Sequence, residues 1–143
     1  MPYEPAPAIT LWRRSELDLP PPKVKVPAAT KTEVIVHHSG GTELGRADFL
    51  AWWRSIYDFH TRTNGWIDIG YNLGVATDRH DPNKAHILEG RGWNGVGAHT
   101  IGHNTAGLGV CYLRNGIATP GIKRAIRFLF EEASKTLGSP LRA

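Results

Sequence analysis

A chain of 143 residues, 41% of them hydrophobic and five of them tryptophan, is expected to form one domain with apolar material enough for a core. No apolar run reaches the ~20 residues of a membrane span, and a single cysteine, Cys111, excludes a disulfide framework within the chain. The formal charge of +4 suits a polyanion, nucleic acid or an anionic cell wall, without choosing between them.

The first 31 residues are rich in proline and carry no long period. Pro20, Pro21 and Pro22 in succession favour an extended polyproline path over a helix. Residues 1–31 are therefore expected to form an arm packed on the domain through Ile9, Leu11 and Trp12, with the domain proper over residues 32–143. The opening MPYEPAPAIT lacks the basic and apolar regions of a secretory signal, so synthesis in a cytoplasm is expected.

VIVHHSG, from Val34 to Gly40, reads as a buried strand over about 33–38 that runs into a turn. Side chains alternate along a strand, so His37 and His38 point to opposite faces. From Arg46 to Thr63 the apolar residues Phe49, Leu50, Trp52, Trp53, Ile56 and Phe59 recur at helical spacing, and Asn64-Gly65 supplies a stop. That aromatic stripe is expected to face the core. GWIDIGYN leads into a second strand over about 69–76, and a polar turn over 78–85 precedes a short strand at 86–89. Residues 90–107 are glycine-rich and aperiodic, a long loop of the kind that usually carries function.

A further strand is expected over 108–113, with Cys111 as an inert buried thiol within it. The last helix starts at Thr119 as N-cap with Pro120 in the first turn, and stops at Gly138. Its apolar face comprises Ile122, Ala125, Ile126, Leu129, Phe130, Ala133 and Leu137. Helices interleaved with strands give an α/β class, a single mixed β-sheet of about five strands with helices packed on its faces.

Taken in order, VIVHHSG, a helix ending in His60, GWIDIGYN, EGRGWN, GAHTIGHN and LGVCYL resemble the zinc-dependent N-acetylmuramoyl-L-alanine amidases of type 2. That family includes phage endolysins of the T7-lysozyme kind and the peptidoglycan-recognition proteins. The resemblance runs from about Glu33 to the C-terminus. It implies hydrolysis of the amide between N-acetylmuramic acid and L-alanine, with bacterial cell-wall peptidoglycan as partner. Zinc would lower the pKa of a bound water and polarise the carbonyl.

By the same resemblance His37 is the first zinc ligand, and His38 is a supporting or groove residue on the other face. Tyr71 would orient the water or donate to the oxyanion. Arg91, Trp93, Asn94 and His99 would line the substrate groove, with the forked donors of Arg91 suited to a stem-peptide carboxylate. His99 and His103 have the i, i+4 spacing of a helical metal pair, but the glycines around them argue against a helix, so neither is assigned metal.

The family pattern continues to a second zinc histidine beyond the last helix, a cysteine or aspartate after it, and a lysine or threonine shortly before that third ligand. None of these follows Leu137, so a full zinc site and hydrolysis are expected only of a longer chain. The competing expectation is a non-catalytic peptidoglycan-binding module. A nucleic-acid partner is not expected, because the lysines and arginines are spread along the chain and do not interleave with aromatics. A monomer that is made in the cytoplasm and reaches the wall after release completes the reading.

Overall fold

Alternation along the central strands sorts the apolar residues into two cores, one on each side of a single sheet. A computed structural model describes residues 2–40, 48–114 and 116–137. Its strands are β1 (Tyr3–Ala6), β2 (Ile9–Trp12), β3 (Glu33–His38), β4 (Leu73–Thr77), β5 (Ala85–Glu89) and β6 (Gly107–Tyr112). The helices are α1 (Phe49–Asp58) and α2 (Pro120–Leu137). In space the strands run β1-β2-β5-β4-β6-β3. β2 is parallel to β5 and both β4 and β3 are parallel to β6, while β1/β2 and β4/β5 are antiparallel.

Among the described residues the sheet therefore has six strands where about five were expected, and two of the six come from the proline-rich segment. Pro7 and Ala8 turn β1 back on β2, with Ala8 at φ 65°. Pro at the first and a positive φ at the second central position is type II turn geometry. β2 then lies in register with β5, Ile9 opposite Ala85 and Leu11 opposite Ile87. Ile9 and Leu11 are buried, so this segment contributes to the core.

On one face Leu73, Val75, Ala85, Ile87, Leu108 and Val110 meet Ile122, Ala125 and Leu129 of α2. On the other, Ala76, Leu88, Cys111 and Leu113 meet Trp52, Trp53 and Tyr57 of α1, closed over by Leu17 and Leu19. A Cβ on Gly74 would lie 2.7 Å from the Trp53 ring, so glycine lets the indole lie flat on β4.

Both helix starts are capped. The Asp48 carboxylate accepts from the Leu50 and Ala51 amides, and Thr119 Oγ1 accepts from the Ile122 amide at 3.2 Å. α1 ends in a π-helical turn, Phe59–Thr63, where an unbroken α-helix was expected. Thr61 Oγ1 back-bonds to the Tyr57 carbonyl there, and Gly65, at φ 70°, reverses the chain. Arg46 and Ala47 of the expected first helix, and Gly138 as the stop of the second, lie outside the described residues.

Candidate functional site

His37 lies opposite Cys111 in the β3/β6 ladder, so its ring projects from the α1 face of the sheet. Beside it on β6 are Gly107 and Gly109, which leave a slot on that face. The imidazole of His99 fills the slot: a Cβ on either Gly97 or Gly109 would overlap the His99 ring. His99 Nδ1 is then 3.2 Å from His37 Nε2, and Thr100 Oγ1 lies 3.1 Å from the first and 3.0 Å from the second.

The Gly107 carbonyl lies 3.2 Å from His99 Nε2 and can only accept, so Nε2 carries the proton of the neutral ring. Its Nδ1 lone pair therefore faces His37 and Thr100. Burial pushes His99 down to about 4, partly opposed by the bond to Gly107, and His37 is also lowered, by burial and then by the charge of His38. Both rings are neutral at pH 7.

Tyr71 closes the other side, its ring centroid 5.5 Å from that of His37, 6.3 Å from Trp53 and 5.6 Å from His60. Burial, then the neighbouring Cys111 thiol, raises the phenol above its ordinary range, and burial pushes the thiol itself up to about 12. Tyr71 is therefore a neutral O–H donor, and Cys111 an unreactive thiol. His60, from the π-helical turn, accepts the Gly70 amide on Nδ1 at 2.9 Å and so fixes the backbone next to Tyr71. Burial pushes His60 down to about 4.

The neighbouring Asn72 is fully buried and organises the long loop. Its Nδ2 donates to the carbonyls of Gly92 (2.9 Å) and Gly95 (2.7 Å), and its Oδ1 accepts from the Gly109 amide at 2.8 Å. The proline-rich segment pins the same loop from outside, Ala29 to Asn94 and Val96 to Pro27. Arg14 clamps the base: it forms a bidentate pair with the fully buried Asp68 and donates to Gly90 O.

Of the residues expected at one groove, the structure brings together His37, Tyr71 and His99. It places the others elsewhere. His38 is exposed on the α2 face beside Tyr112, as alternation requires. Arg91, expected to meet a substrate carboxylate, turns inward: Nε donates to Ile69 O at 2.7 Å and Nη1 to Val96 O at 2.8 Å. Trp93 packs on the α2-side core, and with Asn94 it lines a cavity shared with Phe128 of α2. The loop thus passes around the sheet and does not present all its side chains to one surface.

Thr100, Asn72 and Asp68 were not singled out in the sequence. Asn72 and Asp68 both belong to the WIDIGYN segment, and a buried polar residue next to a strand was the available signal. Among the described residues no three His, Cys, Asp or Glu side chains converge as a metal site.

This fold is similar to that of solved peptidoglycan-recognition proteins. Drosophila PGRP-LB superposes with a TM-score of 0.77 at 27% identity, over 90% of this chain and 75% of that one. PGRP-LE, solved in complex with tracheal cytotoxin (monomeric diaminopimelic acid-type peptidoglycan), superposes with a TM-score of 0.72 at 26% identity, over 88% and 74%. The human N-acetylmuramoyl-L-alanine amidase is 43% identical over 74 residues, 52% of this chain and 12% of that protein's length. No protein-family model matches. By sequence and by fold the chain is related to the amidase and peptidoglycan-recognition family.

Proposed function

We propose that the chain is the peptidoglycan-engaging domain of a zinc-dependent N-acetylmuramoyl-L-alanine amidase of lysin type. In this reading His37 is a metal ligand and Tyr71 is the donor to the oxyanion. The observation that carries it is the packing of a neutral, half-buried Tyr71 phenol beside His37, in a chain related to named amidases. A donor fixed in a low-dielectric wall stabilises charge as it develops on a carbonyl oxygen without reorganising. Gly70, held by His60, and Asn72 fix the backbone on either side of that phenol. The glycine slot fixes His99, whose lone pair faces the same space.

A catalytic zinc takes three protein ligands and keeps one position open. The described residues bring together only the nitrogens of His37 and His99, so they do not by themselves fit that shell. The enzymatic reading therefore requires donors outside the described residues, and the chemistry assigned here belongs to protein groups alone. The same observation favours a second reading, a peptidoglycan-recognition module that binds without cutting. In both, synthesis in the cytoplasm is followed by action at the wall.

Incubation of the chain with purified cell walls and zinc separates these readings. Cosedimentation with the walls is expected under both, and its absence would overturn both. Release of L-alanine amino termini, slowed ~10²–10³-fold by Tyr71→Phe, identifies the enzyme. Binding without release, also by a longer form of the chain that supplies the further zinc donors, identifies the recognition module.

A further inference from the structure

The α2 side of the sheet holds a cavity of about 550 Å³, within the size range of small-molecule sites. Its lining includes Tyr3 and Leu11 of the N-terminal strands, Trp93 and Leu108, and Phe128 and Ala133 of α2. None of these residues belongs to the His37 site, which opens on the opposite face. One charged group lies deep in this mostly apolar lining: Lys31, only 5% exposed.

An ammonium has three donors and is costly to bury without an anion. Two of the Lys31 donors go to the carbonyls of Asn104 (3.3 Å) and Thr105 (2.9 Å). Among the described residues no carboxylate forms an ion pair with it, and burial holds it down to about 8, still mostly charged at pH 7. The other charge on the lining is Glu132, which is paired with the exposed Lys135 at 3.1 Å. A single remaining ammonium donor suits a monoanion. Three aromatic walls suit a flat ring.

We propose that this cavity binds a small aromatic carboxylate, its ring against Trp93 and Phe128 and its carboxylate on Lys31 Nζ. The cavity lies on the opposite face of the sheet from the His37 cluster and the proposal does not depend on the peptidoglycan reading, although Lys31 bonds to Asn104, whose side chain also holds the His99 and Thr100 amides.

Isothermal titration of the full chain at pH 7 with 2-naphthoate, and with the neutral 2-naphthalenemethanol, tests it. The acid is expected to bind at least about tenfold more tightly than the alcohol, the ratio of a charge-assisted hydrogen bond. Lys31→Met should abolish that preference and leave the alcohol unaffected. Ala133→Phe, which fills the cavity from α2, should weaken both ligands about tenfold or more. If Lys31→Met does not fold, the parent's preference for the acid and the Ala133→Phe result decide. No binding of naphthoate at millimolar concentration, equal affinity for acid and alcohol, or an Ala133→Phe chain that binds normally would each overturn the proposal.

Discussion

Replacing Asn72 with alanine removes the side chain that ties the long loop to the sheet. Three hydrogen bonds are lost, to Gly92 O, Gly95 O and the Gly109 amide. Gly95 and Gly109 are buried, so two backbone groups are left without partners, while Gly92 is half-buried and recovers water. Each buried orphan costs about 1–3 kcal/mol, which gives a loss of about 2–6 kcal/mol. With a urea m-value of about 1–3 kcal/mol/M, the unfolding midpoint should fall by about 1–3 M. Asn72→Asp keeps the acceptor for Gly109 but turns a carboxylate toward two carbonyls, and should be no more stable than the alanine variant at pH 7. Urea unfolding followed by tryptophan fluorescence measures both. A midpoint for Asn72→Ala within about 0.3 M of the parent would refute the role given to this residue.

Arg14→Ala leaves the fully buried Asp68 carboxylate unpaired and should cost about 3–5 kcal/mol in the same assay; a loss below about 1 kcal/mol would contradict the clamp. Gly109→Ala puts a methyl group into the His99 ring and should break its bond to Gly107 at a cost of about 1–3 kcal/mol. The imidazole resonances of His99 and His37 should move with it, and unchanged resonances would count against the slot. His60 and His99, held at about 4 against an ordinary 6.5, stay neutral in the fold while the unfolded chain takes up protons. Their contribution to stability is therefore complete above about pH 6.5, is lost as pH falls from there to about 4, and levels off below that. The slope of Tm against pH in this window should flatten in His60→Gln; an equal slope would dismiss His60 as a contributor.

The elements with a strong local period were legible in the sequence. The expected strand at 33–38 is β3, the capped helix from Thr119 is α2, and the aromatic stripe of α1 faces the core. β1 and β2 were read only as an arm, because the partner that makes Ile9–Trp12 a strand is β5, some 75 residues later in the chain. The alternation Ile9-Thr10-Leu11-Trp12 was the local trace of that pairing. The opposite orientations of His37 and His38 follow from strand alternation alone. That His99 reaches His37 does not, since it depends on Gly97 and Gly109 opening a slot from two separate segments. Trp93 and Asn94 were grouped with Arg91 by the family resemblance of the loop, whereas the path of the loop sends them to the other face.

In the proposed function the α1-face cluster of His37, Tyr71 and His99 engages peptidoglycan. Titration of the isotopically labelled chain with a soluble muropeptide, carrying N-acetylmuramic acid and its stem peptide, tests it most directly by NMR. The ring resonances of His37, His99 and Tyr71 are predicted to shift in a saturable way while the Trp93 indole stays in place. Saturable shifts at Trp93 with none at His37, or no shifts at all, would contradict the assignment.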